Sequence, residues 1–125
     1  MISLVIPTYN GEKYLREQLD SIYRQTLVPD EVIAVDDRSK DGTVDILKEY
    51  ADRYGLKYFV NEQNLGYNKN FAKGISLASG DYICLCDQDD VWMPEKVETL
   101  HKKLIEIENY EPACVSSYAS MSILI

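Results

Sequence analysis

Tyr82-Ile83-Cys84-Leu85-Cys86 is an apolar run that ends abruptly at Asp87, Asp89 and Asp90, three carboxylates within four positions. Carboxylates so close together repel one another, and desolvation at the end of a buried strand adds to the cost of charging all three. A hard divalent cation, magnesium or manganese, removes that conflict because its preferred ligands are oxygens. The stretch is therefore expected to hold a metal together with a diphosphate. Two more polar clusters have the same placement. Pro7, Thr8, Tyr9 and Asn10 follow the apolar run that ends at Ile6, and Asp36-Asp37 follow the run that ends at Val35. Turn formation and helix capping compete for Asp36 and Asp41, and Asp90 is expected to cap the turn before Pro94.

The elements that must position these clusters can be read from hydrophobic periodicity. Residues 2–6 read as a strand stopped by Pro7, and residues 12–25 as a helix with Leu15, Leu19 and Ile22 on one stripe. A second strand spans 31–35. A helix over 43–54 follows, with Val44, Leu47, Tyr50 and Tyr54 inward, Thr43 as N-cap and Gly55 as terminator. Residues 56–60 give a third strand and residues 68–78 a third helix, packed through Phe71, Ile75 and Ala78. The fourth strand is the opening stretch. Pro94 then suits the first turn of a fourth helix carrying Val97, Leu100, Leu104 and Ile107. Four alternations of strand and helix imply an α/β domain over residues 1–125, a mostly parallel sheet with helices on both faces. In such a sheet the C-terminal strand ends share one edge, so the three polar clusters converge there. The apolar end Ile123-Leu124-Ile125 is expected to mark a truncated chain or one completed by a partner, for example a second copy of the chain.

The 125 residues carry a net charge of −8, with 46% apolar and 27% charged residues. That balance excludes nucleic acid or an anionic membrane as the main partner, since both need basic patches. A phosphate-bearing ligand stays open, because a cation can supply positive charge locally. No apolar run reaches membrane-spanning length. Cys84 and Cys86 face the same side of a strand and read as small core residues. With Cys114 and the lone His101 they do not make a zinc site. Their use fits a reducing cytoplasm, including the inner face of the membrane.

Asp37 to Lys48 partly mimics a calcium loop, but Lys48 stands where the bidentate glutamate belongs, and that reading fails. Asp87-Gln88-Asp89-Asp90-Val91 also fits the Asp-x-Asp-x-Val motif of haloacid-dehalogenase-like phosphatases. In that family the motif follows the first strand, and here it follows the fourth. The whole order fits better elsewhere. Val-Ile-Pro-Thr-Tyr-Asn (5–10), Val-Asp-Asp-x-Ser-x-Asp-Gly-Thr (35–43), Asn-Leu-Gly (64–66) and Gly-Asp-Tyr-Ile…Asp-x-Asp-Asp (80–90) resemble the motifs of family 2 glycosyltransferases with the GT-A fold. The Asp-Gln-Asp-Asp-Val-Trp form is most similar to bacterial members that build rhamnose- or glucose-containing surface polysaccharides.

The resemblance implies a Rossmann-like donor-binding half and a set of roles. Pro7, Thr8, Tyr9, Asn10 and Glu12 would line a nucleotide pocket, with Tyr9 against the base. Asp37 would accept a hydrogen bond from a uracil or thymine imide. Asp87 would lie near the ribose and donor sugar, and Asp89 would hold magnesium or manganese on the diphosphate. The family commonly has Arg-Asn where this chain has Phe71 and Ala72, so Lys69, with Asn70, is the expected substitute. The family's general base lies well beyond the Asp-x-Asp motif, where this chain offers only Glu95, Glu98, Glu106, Glu108 and Glu111. The chain is therefore expected to bind a nucleotide sugar for inverting transfer to a saccharide acceptor, and to stop before the acceptor-binding half. The competing expectation is a non-catalytic nucleotide-binding or interaction module.

Overall fold

The computed structural model describes residues 1–108, 114–115 and 123–124. Four strands, β1 (Ile2–Thr8), β2 (Glu31–Asp36), β3 (Lys57–Val60) and β4 (Tyr82–Leu85), alternate with four helices, α1 (Glu12–Tyr23), α2 (Thr43–Tyr54), α3 (Tyr67–Leu77) and α4 (Lys96–Glu108). Two short strands, β5 (Cys114–Val115) and β6 (Ile123–Leu124), complete a sheet of order β3-β2-β1-β4-β6-β5. The first four strands pair in parallel, and β6 joins β4 antiparallel. The expected α/β architecture is present. The backbone of Ile123–Leu124 pairs within the chain beside Ile83 and Cys84. Ile125 lies outside the described residues.

β1 is buried along its whole length, as a central strand covered on both faces must be. Alternation divides its side chains. Ile2, Leu4 and Ile6 enter a core with Leu15, Leu19 and Ile22 of α1, Ile46, Leu47 and Tyr50 of α2, and Val97, Leu100 and Leu104 of α4. Cys84 and Cys86 join the same core as free thiols, and burial pushes the Cys84 thiol up to about 12. Val5 and Val35 face the other way, against α3.

Three departures from the sequence reading have physical causes. β1 runs through Pro7 to Thr8, because its pairing with β4 ends at Val5 opposite Leu85. Beyond that point β1 is an edge on the β4 side, where a missing N–H is tolerated. The helix α3 docks through Asn70 and Gly74, while Phe71, Ile75 and Ala78 are only half-buried. A Cβ at Gly74 would lie 2.3 Å from Val5 Cγ1, so the approach of α3 to the sheet requires glycine there. In α2 the N-cap is Gly42, Ile46 takes an inward position and Tyr54 is exposed. Tyr54 instead stacks on Tyr23, with ring centres 4.2 Å apart. Gly55 ends α2 in the left-handed conformation, as expected.

Candidate functional site

The sheet order reverses between β1 and β4: β2 and β3 lie on one side of β1 and β4 on the other. Ligands of open α/β sheets bind at the C-terminal strand edge where such a reversal opens a crevice. The loops after β1, β2, β3 and β4 all meet at that edge.

The loops after β1 and β2 are stitched to each other. Asp36, fully buried, accepts from Thr8 Oγ1 at 2.7 Å, Ser39 N at 2.8 Å and Ser39 Oγ at 2.6 Å. Its carboxylate therefore shapes the turn. Asn10, at φ 49°, accepts from Lys40 N through Oδ1 and donates its own N–H to Ser39 Oγ. Asp41 accepts from Thr43 N and Glu12 N, and Thr43 Oγ1 in turn accepts from Gly11 N. The Glu12 carboxylate lies over Gly42, where a Cβ would be 2.3 Å from its Oε2. Asn10, Glu12 and Asp41 thus hold the edge together from outside the cavity.

Asp37 has a different environment. It is 4% exposed, and three donors converge on its carboxylate. Asn61 Nδ2 (3.0 Å) and Leu65 N (2.7 Å) reach Oδ1, and Gly66 N (2.9 Å) reaches Oδ2. Burial alone would raise its pKa. The bonds from Leu65, Asn61 and Gly66 and the charge of Lys73 outweigh burial and hold it below the ordinary carboxylate value. Gly66 turns the chain at φ 85°, which aims these two successive N–H groups at Asp37. Behind them Asn70, buried on α3, donates to Val35 O at 2.8 Å and accepts from Asn61 at 2.8 Å.

From the β4 side, Gln88 crosses the crevice to accept from Tyr9 N and packs on Gly11, where a Cβ would lie 3.0 Å from its side chain. The phenol of Tyr67, at the start of α3, donates to Asp87 Oδ1. Burial and the neighbouring Asp87 raise the phenol's pKa. Gln18 supports this turn from α1, its Nε2 reaching Cys86 Sγ at 3.2 Å and the Asp87 carbonyl. Between these groups lies a cavity of about 350 Å³ lined by Pro7, Thr8, Tyr9, Asp37, Asn64, Gly66, Tyr67, Asn70 and Gln88.

Of the residues singled out from sequence, Pro7, Thr8, Tyr9 and Asp37 line this cavity, and Asp87 is held at its Tyr67 side. Asn10, Glu12 and Lys69 are exposed and do not line it. Of the pair Lys69 and Asn70, the buried, cavity-lining residue is Asn70. Gln88 and Tyr67 escaped the sequence reading, although each sits directly beside a recognised motif. The three carboxylates after β4 do not converge. Asp87 turns to Tyr67, Asp89 stands exposed at φ 73°, and Asp90 N closes the turn on Asp87 O. Among the described residues no three acidic, histidine or cysteine side chains gather into a metal cage. Oxygen donors limited to one or two carboxylates still fit magnesium or manganese, which complete their shells with phosphates and water. Among the described residues no helix is long and apolar enough to cross a membrane.

Comparison with known proteins agrees with this arrangement. The family model described as glycosyl transferase family 2 matches residues 3–120. Glycosyltransferase GlyA of Streptococcus pneumoniae is 36% identical over 107 residues, 86% of this chain and 15% of that protein. The crystal structure of S. aureus TarS with UDP-GlcNAc superposes with a TM-score of 0.77 at 32% identity, covering 86% of this chain and 32% of that one. The mannosyltransferase PcManGT of Pyrobaculum calidifontis, in complex with GDP-Man and Mn2+, gives 0.79 at 27% identity over 92% of this chain and 34% of that one. The chain thus spans about a third or less of the length of these relatives. With a matching family model along nearly its whole length and the GT-A type of sheet, the chain belongs to glycosyl transferase family 2.

Proposed function

We propose that this chain is the donor-binding part of an inverting glycosyltransferase that takes a UDP- or dTDP-linked sugar with magnesium or manganese. The transfer would be to a saccharide acceptor during assembly of a surface polysaccharide. The observation that carries the reading is the state of Asp37. A carboxylate offers about four acceptor positions, and three are filled by Asn61, Leu65 and Gly66. The remaining position is on Oδ2, in a wall of the cavity. A group that is acceptor-only selects a base with an N–H at its pairing edge. Uracil and thymine present one at ring N3, where cytosine has a bare nitrogen and leaves only its exocyclic amino group as a donor. Tyr9, half-exposed on the same wall, offers a ring face for the base.

Asp87 and Asp89 then fall where the diphosphate and sugar would extend. Asp89 would hold the cation, with Asp87 beside it toward the ribose. When bound, the cation neutralises charge that grows on the departing diphosphate. Tyr67 and Gln88 fix this turn against the cavity, so the carboxylates keep their bearing on the donor. Transfer also needs a base to take the acceptor's proton. The proposal assigns that base and the acceptor site to a part of the enzyme beyond this donor half. The complexes of TarS with UDP-GlcNAc and of PcManGT with GDP-Man and Mn2+ support the class of ligand.

Calorimetric titration with UDP, dTDP and CDP, each with manganese, magnesium or chelator, tests the reading. UDP and dTDP should bind, CDP should bind at least about tenfold more weakly, and chelator should weaken all three. No heat and no thermal shift with either UDP or dTDP overturns it.

A further inference from the structure

The donors on Asp37 are not equivalent. Leu65 and Gly66 contribute backbone N–H groups, whereas Asn61 contributes a side-chain amide that could be turned either way. Its orientation is fixed from both ends. Lys73 Nζ, which can only donate, lies 2.7 Å from Asn61 Oδ1. Asp37, which accepts when ionised, lies 3.0 Å from Asn61 Nδ2. Asn70 completes the arrangement. Its own amide is turned by Val35 O, so its Oδ1 accepts the second Asn61 proton at 2.8 Å. Asn61 and Asn70 are 3% and 2% exposed, so water has little access to the bonds from Asn61 to Asp37 and Asn70. Lys73 itself stands in the wall of a second, separate cavity with Glu62 and Gln63, outside the nucleotide site.

From this geometry we infer that Lys73, acting through Asn61, is a positioning residue that keeps the Asp37 carboxylate ionised and its free lone pair aimed at the base. The inference rests on the nucleotide reading for its consequence, but not for the relay itself. Lys73 touches no ligand in this scheme. Its ammonium polarises the Asn61 amide, and the amide N–H strengthens as a donor to Asp37. The other charged or titratable groups around Asp37 do not substitute for it. Arg38, next in the chain, turns its guanidinium to the Glu62 carbonyl, Asp36 is enclosed in its own turn, and Tyr67 donates to Asp87. Glu62 shares the outer cavity with Lys73 and would act only by screening it.

The experiment compares the protein with its Lys73→Met and Lys73→Arg variants in two measurements. The first is the titration of the Asp37 side-chain carbon by NMR without ligand. The Met variant should titrate at higher pH than the parent, and the Arg variant should restore the parent curve. The second is UDP affinity between pH 8 and pH 4.5. The Met variant should lose affinity on acidification earlier than the parent, with a deficit that opens only as the pH falls toward 4.5 and stays below about threefold, the scale of one screened charge. Its preference for UDP over CDP should narrow there as well. A Met variant with the parent's Asp37 titration overturns the inference, even if its melting temperature falls. If the parent binds no UDP, the nucleotide reading fails, while the first measurement still decides whether Lys73 holds Asp37 ionised.

Discussion

At the edge of the sheet opposite the cavity one buried carboxylate joins three strands and the approach to a fourth, and replacing it separates stability from binding. Glu31 opens β2 with its side chain only 4% exposed. It accepts from Ser3 Oγ on β1 at 2.7 Å, from Ser79 N ahead of β4 at 2.8 Å and from Lys57 Nζ on β3 at 2.6 Å. Burial pushes its carboxyl up, but the bonds from Lys57, Ser79 and Ser3 prevail and bring it from 4.5 down to about 2. A fall of that size corresponds to about 3 kcal/mol favouring the folded carboxylate, at about 1.4 kcal/mol per pH unit. The Lys57 side chain is 58% exposed, and screening reduces the contribution to about 2 kcal/mol. The folded value lies below the unfolded one. The stabilisation is therefore complete above about pH 4.5 and disappears as the pH falls through about 2. Glu31→Gln should lower stability by about 2 kcal/mol at pH 7, or roughly 6–10 °C in melting temperature. Its deficit should shrink steadily between pH 4.5 and pH 2. Urea denaturation of both proteins at pH 7, 4 and 2.5 measures this, with UDP affinity at pH 7 as the control expected to stay unchanged. An equal deficit at pH 7 and pH 2.5, or none at pH 7, would refute the argument that charge on Glu31 ties this edge.

Asp89→Asn keeps a side chain that tolerates the left-handed backbone at φ 73° but removes the charge. The gain in UDP affinity conferred by manganese should fall by about tenfold, the scale of one charge-assisted contact, while metal-free binding measured by calorimetry stays as in the parent. Gly74→Ala would gain up to about 1 kcal/mol of helix propensity. It would also force a methyl to 2.3 Å from Val5 Cγ1, an overpacking that costs about 1–3 kcal/mol. The net change in a denaturant titration should be destabilising. Because Asn70 lies one turn away on α3, UDP affinity should fall with it.

The fold was legible because its strands carry uninterrupted apolar runs and its helices regular stripes. Leu15, Leu19 and Ile22 or Val97, Leu100 and Leu104 leave little choice of face. The failures fall where packing is done by something other than an apolar side chain. α3 meets the sheet through a glycine and an asparagine, which periodicity reads as the outer face, so Phe71, Ile75 and Ala78 stand in the reading where Asn70 and Gly74 do the packing. At the site, Asp37 and the residues from Pro7 to Tyr9 were legible from their place after strands and from the family's motifs. The partners that decide what each carboxylate does were not. Asn61, Lys73 and Gln88 act across 12 to 79 positions of sequence, and nothing local marks them.

That distance also explains why three carboxylates can stand together after β4 without a built cage. In sequence, their proximity reads as a conflict needing a cation. In the folded chain they take different partners: a phenol engages Asp87, the backbone of Asp90 closes on the Asp87 carbonyl, and Asp89 is exposed. Among the described residues they do not form a cage of three ligands, so affinity for metal alone should be low. On the proposed reading a diphosphate would supply the missing oxygens, and metal and donor would bind as a unit. Manganese titrated alone should produce little heat, and manganese titrated in the presence of UDP should produce much more. Tight manganese binding without nucleotide would mean that the carboxylates gather in solution, and the separation of their roles would be wrong.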